Sequence, residues 1–335
     1  MSNFSSYHYW IVAYPDISKP IGGIKQLHRV CEIIQLLGRQ CTLIQGHSDF
    51  HPDWFESDVS TISRDDFFSS LNLKPFIDRI IIPETYVPII DSIVDSRIPR
   101  IIFNQNGSYT FGLDGKSSFD PNLVLNCYRN KSLSQVWCVS HHDYNFLVRG
   151  LGLPNKIVRL ISNAVDISRY ELPLRKKKQI VFMPRKNRRD SLIVEALFSN
   201  CSLSRSWKLL PLTQLAHHEV ISAMKESLIY LSFGHPEGFG LPVAEAMACG
   251  CSVIGYSGLG GRELFNHYLA QDVNYEVSYG DWLGFMSSLY DFDAKLALNQ
   301  SDILDSLFLN ASRILNDYSL DSMRSSLRDS LNLIE

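Results

Sequence analysis

The stretch 234-GHPEGFGLPVAEAMACGCSVIGYSGLGG-261 holds eight of the protein's 19 glycines, and its pattern decides how the rest of the chain is read. Apolar residues 228–233 run into it as a strand, 242–249 read as a short apolar helix, and 251–256 as the next strand. Glycine lets backbone N–H groups approach a ligand closely and turn sharply. Here the glycines bring Phe239, Gly240 and Leu241 to a helix start, where Pro242 suits the first turn. Free N–H groups and the positive end of the helix dipole make such a place an anion site. Glu237 precedes the loop and Glu245 lies in the second helical turn, so two carboxylates flank it. Acids are a poor choice if phosphate binding is the sole task. They suit hydrogen bonds from the vicinal hydroxyls of a ribose or hexose. The second glycine turn, with Gly260 and Gly261, offers another set of backbone donors, and Arg262-Glu263 follows it.

Outward from this stretch the chain alternates strands and helices. Short apolar, β-branched runs at 9–14, 41–45, 79–82, 100–103 and 135–139 read as strands. The clearest helix spans 24–37, with apolar positions at 24, 27, 30, 33/34 and 37, and Gly38 as its stop. The loop 15–23 precedes it, and 49–73 fits either element type. The basic stretch 172-LPLRKKK-178 has a linker's composition. Beyond it the pattern restarts: strand 179–183, helix 190–198, strand 207–210 and helix 217–226, then the glycine-rich stretch. Residues 302–333 are mostly helical by period. Such alternation implies parallel strands joined by crossover helices, an α/β class.

At 335 residues the chain has room for two domains of ~150 residues each. Its net charge of -3 creates no positive field that would gather nucleic acid. The seven cysteines are scattered, odd in number and without CxxC spacing; Cys249 and Cys251 lack further metal ligands nearby, so all read as buried thiols in a reducing compartment. The apolar run at 9–14 stops at Pro15-Asp16, too short for a secretion signal, and no stretch approaches the ~20 apolar residues of a membrane span. The expected location is the cytoplasm.

The segment EGFGLPVAE is an E-x7-E element. With EAMACGCSVIGYSGLGGREL behind it, the stretch resembles the C-terminal domain of retaining, family 4-like GT-B glycosyltransferases, the superfamily of glycogen synthases and many bacterial mannosyl- and glucosyltransferases. Weaker likeness runs along most of the chain: 20-PIGG-23 sits where these enzymes have a first glycine loop, Val139-Ser140 and 161-ISNAVD-166 resemble segments near their domain junction, and 182-FMPR-185 resembles the strand-then-arginine start of their second domain. The resemblance implies two Rossmann-like domains facing an interdomain cleft. The first, 1–171, would bind the acceptor; the second, 172–310, the nucleotide sugar; and a C-terminal helix in 311–335 would pack back on the first.

By the same resemblance, Glu245 holds the nucleotide ribose and Glu237 contacts the transferred sugar near the reacting carbon. Backbone groups of Phe239, Gly240 and Leu241, with Gly260 and Gly261, bind sugar hydroxyls or diphosphate, and Gly22 and Gly23 close on the phosphates. The implied reaction moves a hexosyl unit from a nucleoside diphosphate sugar to a hydroxyl of a glycan, lipid-linked or small-molecule acceptor, with retained configuration, in surface polysaccharide or glycoconjugate synthesis. It needs no metal or other cofactor, because basic side chains neutralise the leaving diphosphate. Arg185, Lys186, Arg188 and Arg189 follow a strand end, where α/β sheets place ligands, and an arginine fork matches phosphate oxygens. The family's lysine sits five residues beyond its arginine; here the loop is shorter, and Arg188 or Arg189 would substitute. Many relatives carry a histidine near the sugar where this chain has 103-FNQNG-107, so Gln105 or Asn106 would take that contact.

Competing signals are weaker. Asp291-Phe292-Asp293 is formally a DxD metal motif, but it falls in a late polar stretch that reads as a solvated loop. His47 and His51, with Asp49 between, lie in a loop beside Pro52 with no helix to align the rings. His141-His142 and His217-His218 read as helix starts, with a substrate contact open for His141. His235 reads equally as a partner of Glu237 or a packed ring. Lys25, His28 and Arg29 share one side of the first helix, a thin basic patch that would give at most weak peripheral membrane contact. Two other functions fit the same motif: a GT-B sugar-nucleotide epimerase, and a non-catalytic subunit that binds nucleotide sugar.

Overall fold

The computed structural model describes residues 7–70, 72–112, 118–165, 176–265 and 273–335. The chain divides into two compact units, one comprising Met1–Ser162 with Met323–Glu335, the other Asn163–Ser322. The sequence-based join at 171/172 lies within 166–175, outside the described residues, as does most of the linker and Asp166 of the ISNAVD segment.

The first unit is built on seven parallel strands: β1 (His8–Val12), β2 (Gln40–Gln45), β3 (Thr61–Ser63), β4 (Asp78–Pro83), β5 (Arg100–Asn104), β6 (Leu133–Cys138) and β7 (Val158–Leu160). Their order is β3-β2-β1-β4-β5-β6-β7. The second unit carries five parallel strands, β8 (Lys177–Phe182), β9 (Lys208–Pro211), β10 (Ser227–Ser232), β11 (Ser252–Gly255) and β12 (Tyr275–Glu276), in the order β12-β11-β10-β8-β9. The strands are apolar runs because helices cover both faces of a parallel sheet: Ile80, Ile81, Ile229 and Leu231 are at most 1% exposed. Both sheets reverse strand order once, between β1 and β4 in one and between β8 and β10 in the other. In such sheets ligands lie beyond the carboxyl ends of the strands at that reversal.

The ambiguous region 49–73 resolves into β3 and the helix Arg64–Ser70. The first long helix, Gly22–Leu36, begins two residues before the predicted start, so Gly22 and Gly23 lie in its first turn rather than in a loop. Its basic side is not a surface patch. Lys25 is 8% exposed and His28 fully buried, while Arg29 pairs with Glu32 at 2.7 Å. No described helix is long and apolar enough to cross a membrane.

The terminal segment Met323–Glu335 belongs to the first unit through side-chain contacts. Gln135 Nε2 donates to Ser330 O at 2.9 Å. Arg39 clasps the Glu335 carboxylate with Nε and Nη2, both at 2.6 Å, and the Tyr9 hydroxyl donates to the same carboxylate at 2.8 Å.

Candidate active site

In the second unit the strand reversal falls between β8 and β10, and the loops leaving these two strands are tied together. Asn187, left-handed at φ 49°, caps the helix Arg188–Ser199 and donates from Nδ2 to Phe233 O and His235 O at 2.8 and 2.9 Å. Lys186 Nζ donates to Pro236 O at 2.7 Å and pairs with Glu237 Oε1 at 2.7 Å. Glu237 is fixed by its backbone as well: its N–H donates to Gly258 O at 2.7 Å, and its carbonyl accepts from Gly260 N–H at 3.0 Å.

The glycines explain how the two turns lie so close. A Cβ on Gly260 would sit 1.8 Å from Gly238 O, and one on Gly261 would sit 2.5 Å from Ser257 O. These residues pack backbone on backbone. The N–H of Gly260 is therefore not the ligand donor the sequence suggests, because Glu237 already occupies it. Gly240 adopts φ 86°, a left-handed turn that glycine takes without strain, and leads into the helix Leu241–Ala248 with proline in its first turn. The N–H groups of Phe239, Gly240 and Leu241 make no hydrogen bond among the described residues. The Phe239 ring is buried against Tyr318, centroids 4.8 Å apart, which leaves only its backbone to a ligand.

Glu245 is 9% exposed, and His217 Nε2 lies 3.1 Å from its Oε1. His217 opens the helix Glu245 packs beside, His217–Glu226. Tyr230, on β10, ties the group together electrostatically. Burial raises its pKa first, the Glu245 and Glu237 carboxylates raise it further, and the Arg185 guanidinium opposes them. One phenol thus senses both acids and the arginine. Arg185 is exposed and makes no hydrogen bond or ion pair with the described residues, and the Arg188 side chain is likewise exposed and unpaired. Arg189 differs: its guanidinium lies over the Trp282 ring, 5.7 Å from the centroid.

The first unit builds a second cluster at its own reversal. Gly23 lies against the Gln105 side chain; a Cβ there would meet Oε1 at 3.3 Å. Gln105 N–H donates to Glu84 Oε2 at 2.9 Å. Asn106 Oδ1 accepts from Ser108 N–H at 3.1 Å and so caps the short turn Gly107–Tyr109; that oxygen serves the turn rather than a ligand. Beneath the two amides lie buried acids. Burial pushes the Glu84 carboxyl up to about 8, against the opposing hydrogen bond from Gln105, and burial also raises Asp143. His141 is exposed at the start of the helix His141–Asn145.

Asp291-Phe292-Asp293 is not a loop but lies within the helix Trp282–Leu298, because Phe292 is fully buried in the core. Its acids serve different cations, Asp291 pairing with Lys295 and Asp293 with Lys178. His47, 89% exposed, pairs with Asp16 at 2.7 Å. His235 stacks on Tyr279, centroids 4.3 Å apart. Burial lowers its pKa, Lys186 lowers it further, and Glu237 opposes both. Among the described residues no three His, Cys, Asp or Glu side chains are grouped to hold a metal ion. Sequence reasoning missed Asn187, His217, Tyr230 and Glu84. Asn187, His217 and Glu84 reach partners more than 20 residues away, and Tyr230 senses acids on a different element, relations with no local pattern.

Residues 195–273, which include the glycine-rich turns and Glu245, match the family described as glycosyl transferases group 1. An α-1,6-glucosyltransferase of Actinobacillus pleuropneumoniae serotype 7 is 35% identical over 119 residues, and this match spans 34% of each chain, so the chain covers about a third of that relative's length. Solved structures match nearly the whole chain. Sucrose-phosphate synthase from Thermosynechococcus elongatus superposes with a TM-score of 0.69 at 13% identity, covering 98% of this chain and 99% of that one. Anabaena HepE, solved in complex with UDP, gives 0.66 at 12% identity over 97% and 99%. The chain therefore has the GT-B fold of two Rossmann-like domains, and the likeness to glycosyl transferases group 1 lies within its second unit.

Proposed function

We propose that this protein is a retaining, metal-independent glycosyltransferase that moves a hexosyl unit from a nucleoside diphosphate sugar to a hydroxyl acceptor. The observation that carries the reading is the row of unpartnered amides at Phe239, Gly240 and Leu241, bracketed by Glu237 on one side and Glu245 on the other. Amides at a helix start suit the diphosphate, and Glu245 suits the ribose diol. Glu237, held by Lys186, suits the hydroxyls of the transferred sugar. The UDP held by HepE and the name of the A. pleuropneumoniae relative favour uridine and glucose.

In the proposed step, the bond from the anomeric carbon to the β-phosphate oxygen breaks, and the acceptor oxygen bonds to that carbon on the same face. The acceptor proton passes to the departing phosphate oxygen, and the nucleoside diphosphate leaves. Arg185 and Lys186 offset the charge that develops on it, so the cationic side chains take the place of a metal. Removing one such preorganised donor costs about 3–4 kcal/mol of barrier in well-studied enzymes. The setting we infer is the cytoplasm, in polysaccharide or glycoconjugate synthesis.

The test is calorimetric titration with UDP, followed by UDP-glucose consumption with and without a panel of sugar acceptors. Acceptor-dependent release of UDP supports a transferase. UDP binding without turnover on any acceptor points instead to a non-catalytic subunit, the reading favoured by the amides Gln105 and Asn106 in the first unit. Conversion of the donor alone would point to an epimerase.

A further inference from the structure

A cavity of about 430 Å³ opens beside Glu237 and lies wholly within the second unit. Its size falls in the range of small-molecule sites, about 300–1,000 Å³. Its walls come from the loops that leave β10, β11 and β12, whereas Arg185 and His217 follow β8 and β9. Apart from His235, the cavity's walls thus lie on the β11 and β12 side of the loop that carries Glu237. The cavity wall is rigidly joined to Glu237, since Gly258 and Gly260 exchange backbone hydrogen bonds with it. Leu259, on the same wall, is held at φ 80°, a left-handed conformation costly for a branched side chain and common at ligand sites.

The lining has the chemistry of saccharide recognition. Tyr279 is 59% exposed and stacked on the His235 ring, with Tyr256 set edge-on at 5.2 Å, so three aromatic rings are grouped in the lining with Tyr279 open to a ligand. An aromatic face suits the C–H side of a pyranose. The same lining carries planar polar groups. Glu276 Oε1 accepts from Ser257 Oγ at 2.6 Å and Arg262 Nε at 3.1 Å, leaving the other carboxylate oxygen and the arginine's Nη atoms for vicinal hydroxyls. The nucleotide has its own acid in Glu245, so Glu276 and Arg262 stand outside the groups assigned to it. Resting on the donor assignment above, we infer that this cavity is a subsite for a saccharide unit of the acceptor, which makes the acceptor a glycan or glycoside rather than a simple alcohol.

The experiment is an NMR titration of isomaltose, maltose and cellobiose into the full chain saturated with UDP, repeated with Tyr279→Ala and Glu276→Gln. The expected result is that at least one disaccharide binds alongside UDP, and that each substitution weakens it about tenfold, the scale of losing an anchor residue in an interface. UDP affinity should stay within twofold in both variants, which also shows that they fold. Failure of all three disaccharides to bind the UDP-saturated protein, or equal binding by Tyr279→Ala, would overturn the subsite. Displacement of the disaccharide by UDP would overturn it as well. A chain that binds no UDP overturns the donor assignment on which the subsite rests, and is recognised as such before any sugar is added.

Discussion

Lys186 Nζ lies 2.7 Å from Glu237 Oε1, and the same ammonium also donates to Pro236 O at 2.7 Å. A residue from the loop after β8 thus orients an acid from the loop after β10, and the two loops form a single cationic and anionic pair beside the free amides. Arg185, its neighbour in sequence, is exposed and unpaired among the described residues. The two cations should therefore behave differently. Arg185→Ala is expected to lower kcat by about 10²- to 10³-fold with little change in fold, measured as UDP-glucose consumption. Lys186→Met should lower kcat and also loosen the loop, seen as a lower thermal midpoint. Unchanged turnover in Arg185→Ala would remove it from the leaving-group role.

His217 and Glu245 should act as a unit in nucleotide binding. A hydrogen bond to a charged group contributes about 1.5–3 kcal/mol, so Glu245→Ala is expected to raise the Kd for UDP about 10- to 100-fold. His217→Ala should raise it less. The double variant should fall short of the sum, because contacting residues couple. Additive effects by isothermal titration would break the pair.

Gly260 tests the packing of the two glycine turns. A Cβ there would collide with Gly238 O, which is backbone and cannot swing away. Gly260→Ala is expected to cost about 1–3 kcal/mol, or a fall of about 3–10 °C in the thermal midpoint of a unit this size. Scanning calorimetry reads it directly, and a midpoint equal to that of the unaltered protein would show that the turns are not packed this closely.

Glu84 gives the first unit a pH dependence with a definite sign. Its folded pKa, raised to about 8 by burial, exceeds its ordinary value of 4.5, so the folded state holds a proton that the unfolded chain releases. The resulting stability is full below pH 4.5 and declines as pH rises through 8. His28 works in the opposite sense, since burial lowers it to about 4, but its window closes near 6.5. Between pH 6.5 and 8.5 the thermal midpoint should therefore fall, by an amount on the order of a few kcal/mol in stability. Glu84→Gln should flatten that slope while keeping the acceptor for Gln105 N–H. A slope unchanged in the variant would exclude Glu84 as its source.

What could be read from the sequence was local. Gly240 before Leu241-Pro242 identifies a sharp turn into a helix, because both residue types obey rules that hold within a few positions. The α/β class follows from alternation, and the runs at 79–82 and 228–233 are strands as their apolar composition implies. Strand order is different information. Nothing near Arg185 announces that β8 lies beside β10, and so nothing announces that Lys186 reaches Glu237. His217 looked like an ordinary helix start because its acid stands 28 residues away, on another helix. Asp291-Phe292-Asp293 reads as a loop for the same reason: its polarity is visible, while the burial of Phe292 depends on a core assembled from distant strands.

The return of Met323–Glu335 to the first unit bears on the order in which the molecule is made. The ribosome delivers residues 7–162 first, yet the groups that accept from Arg39, Tyr9 and Gln135 emerge only after the whole of Asn163–Ser322. These contacts of the leading half can close only after the later half has been translated. Nascent chains halted before residue 323 should consequently protect the trailing half from protease sooner than the leading one, an inversion of the usual vectorial sequence.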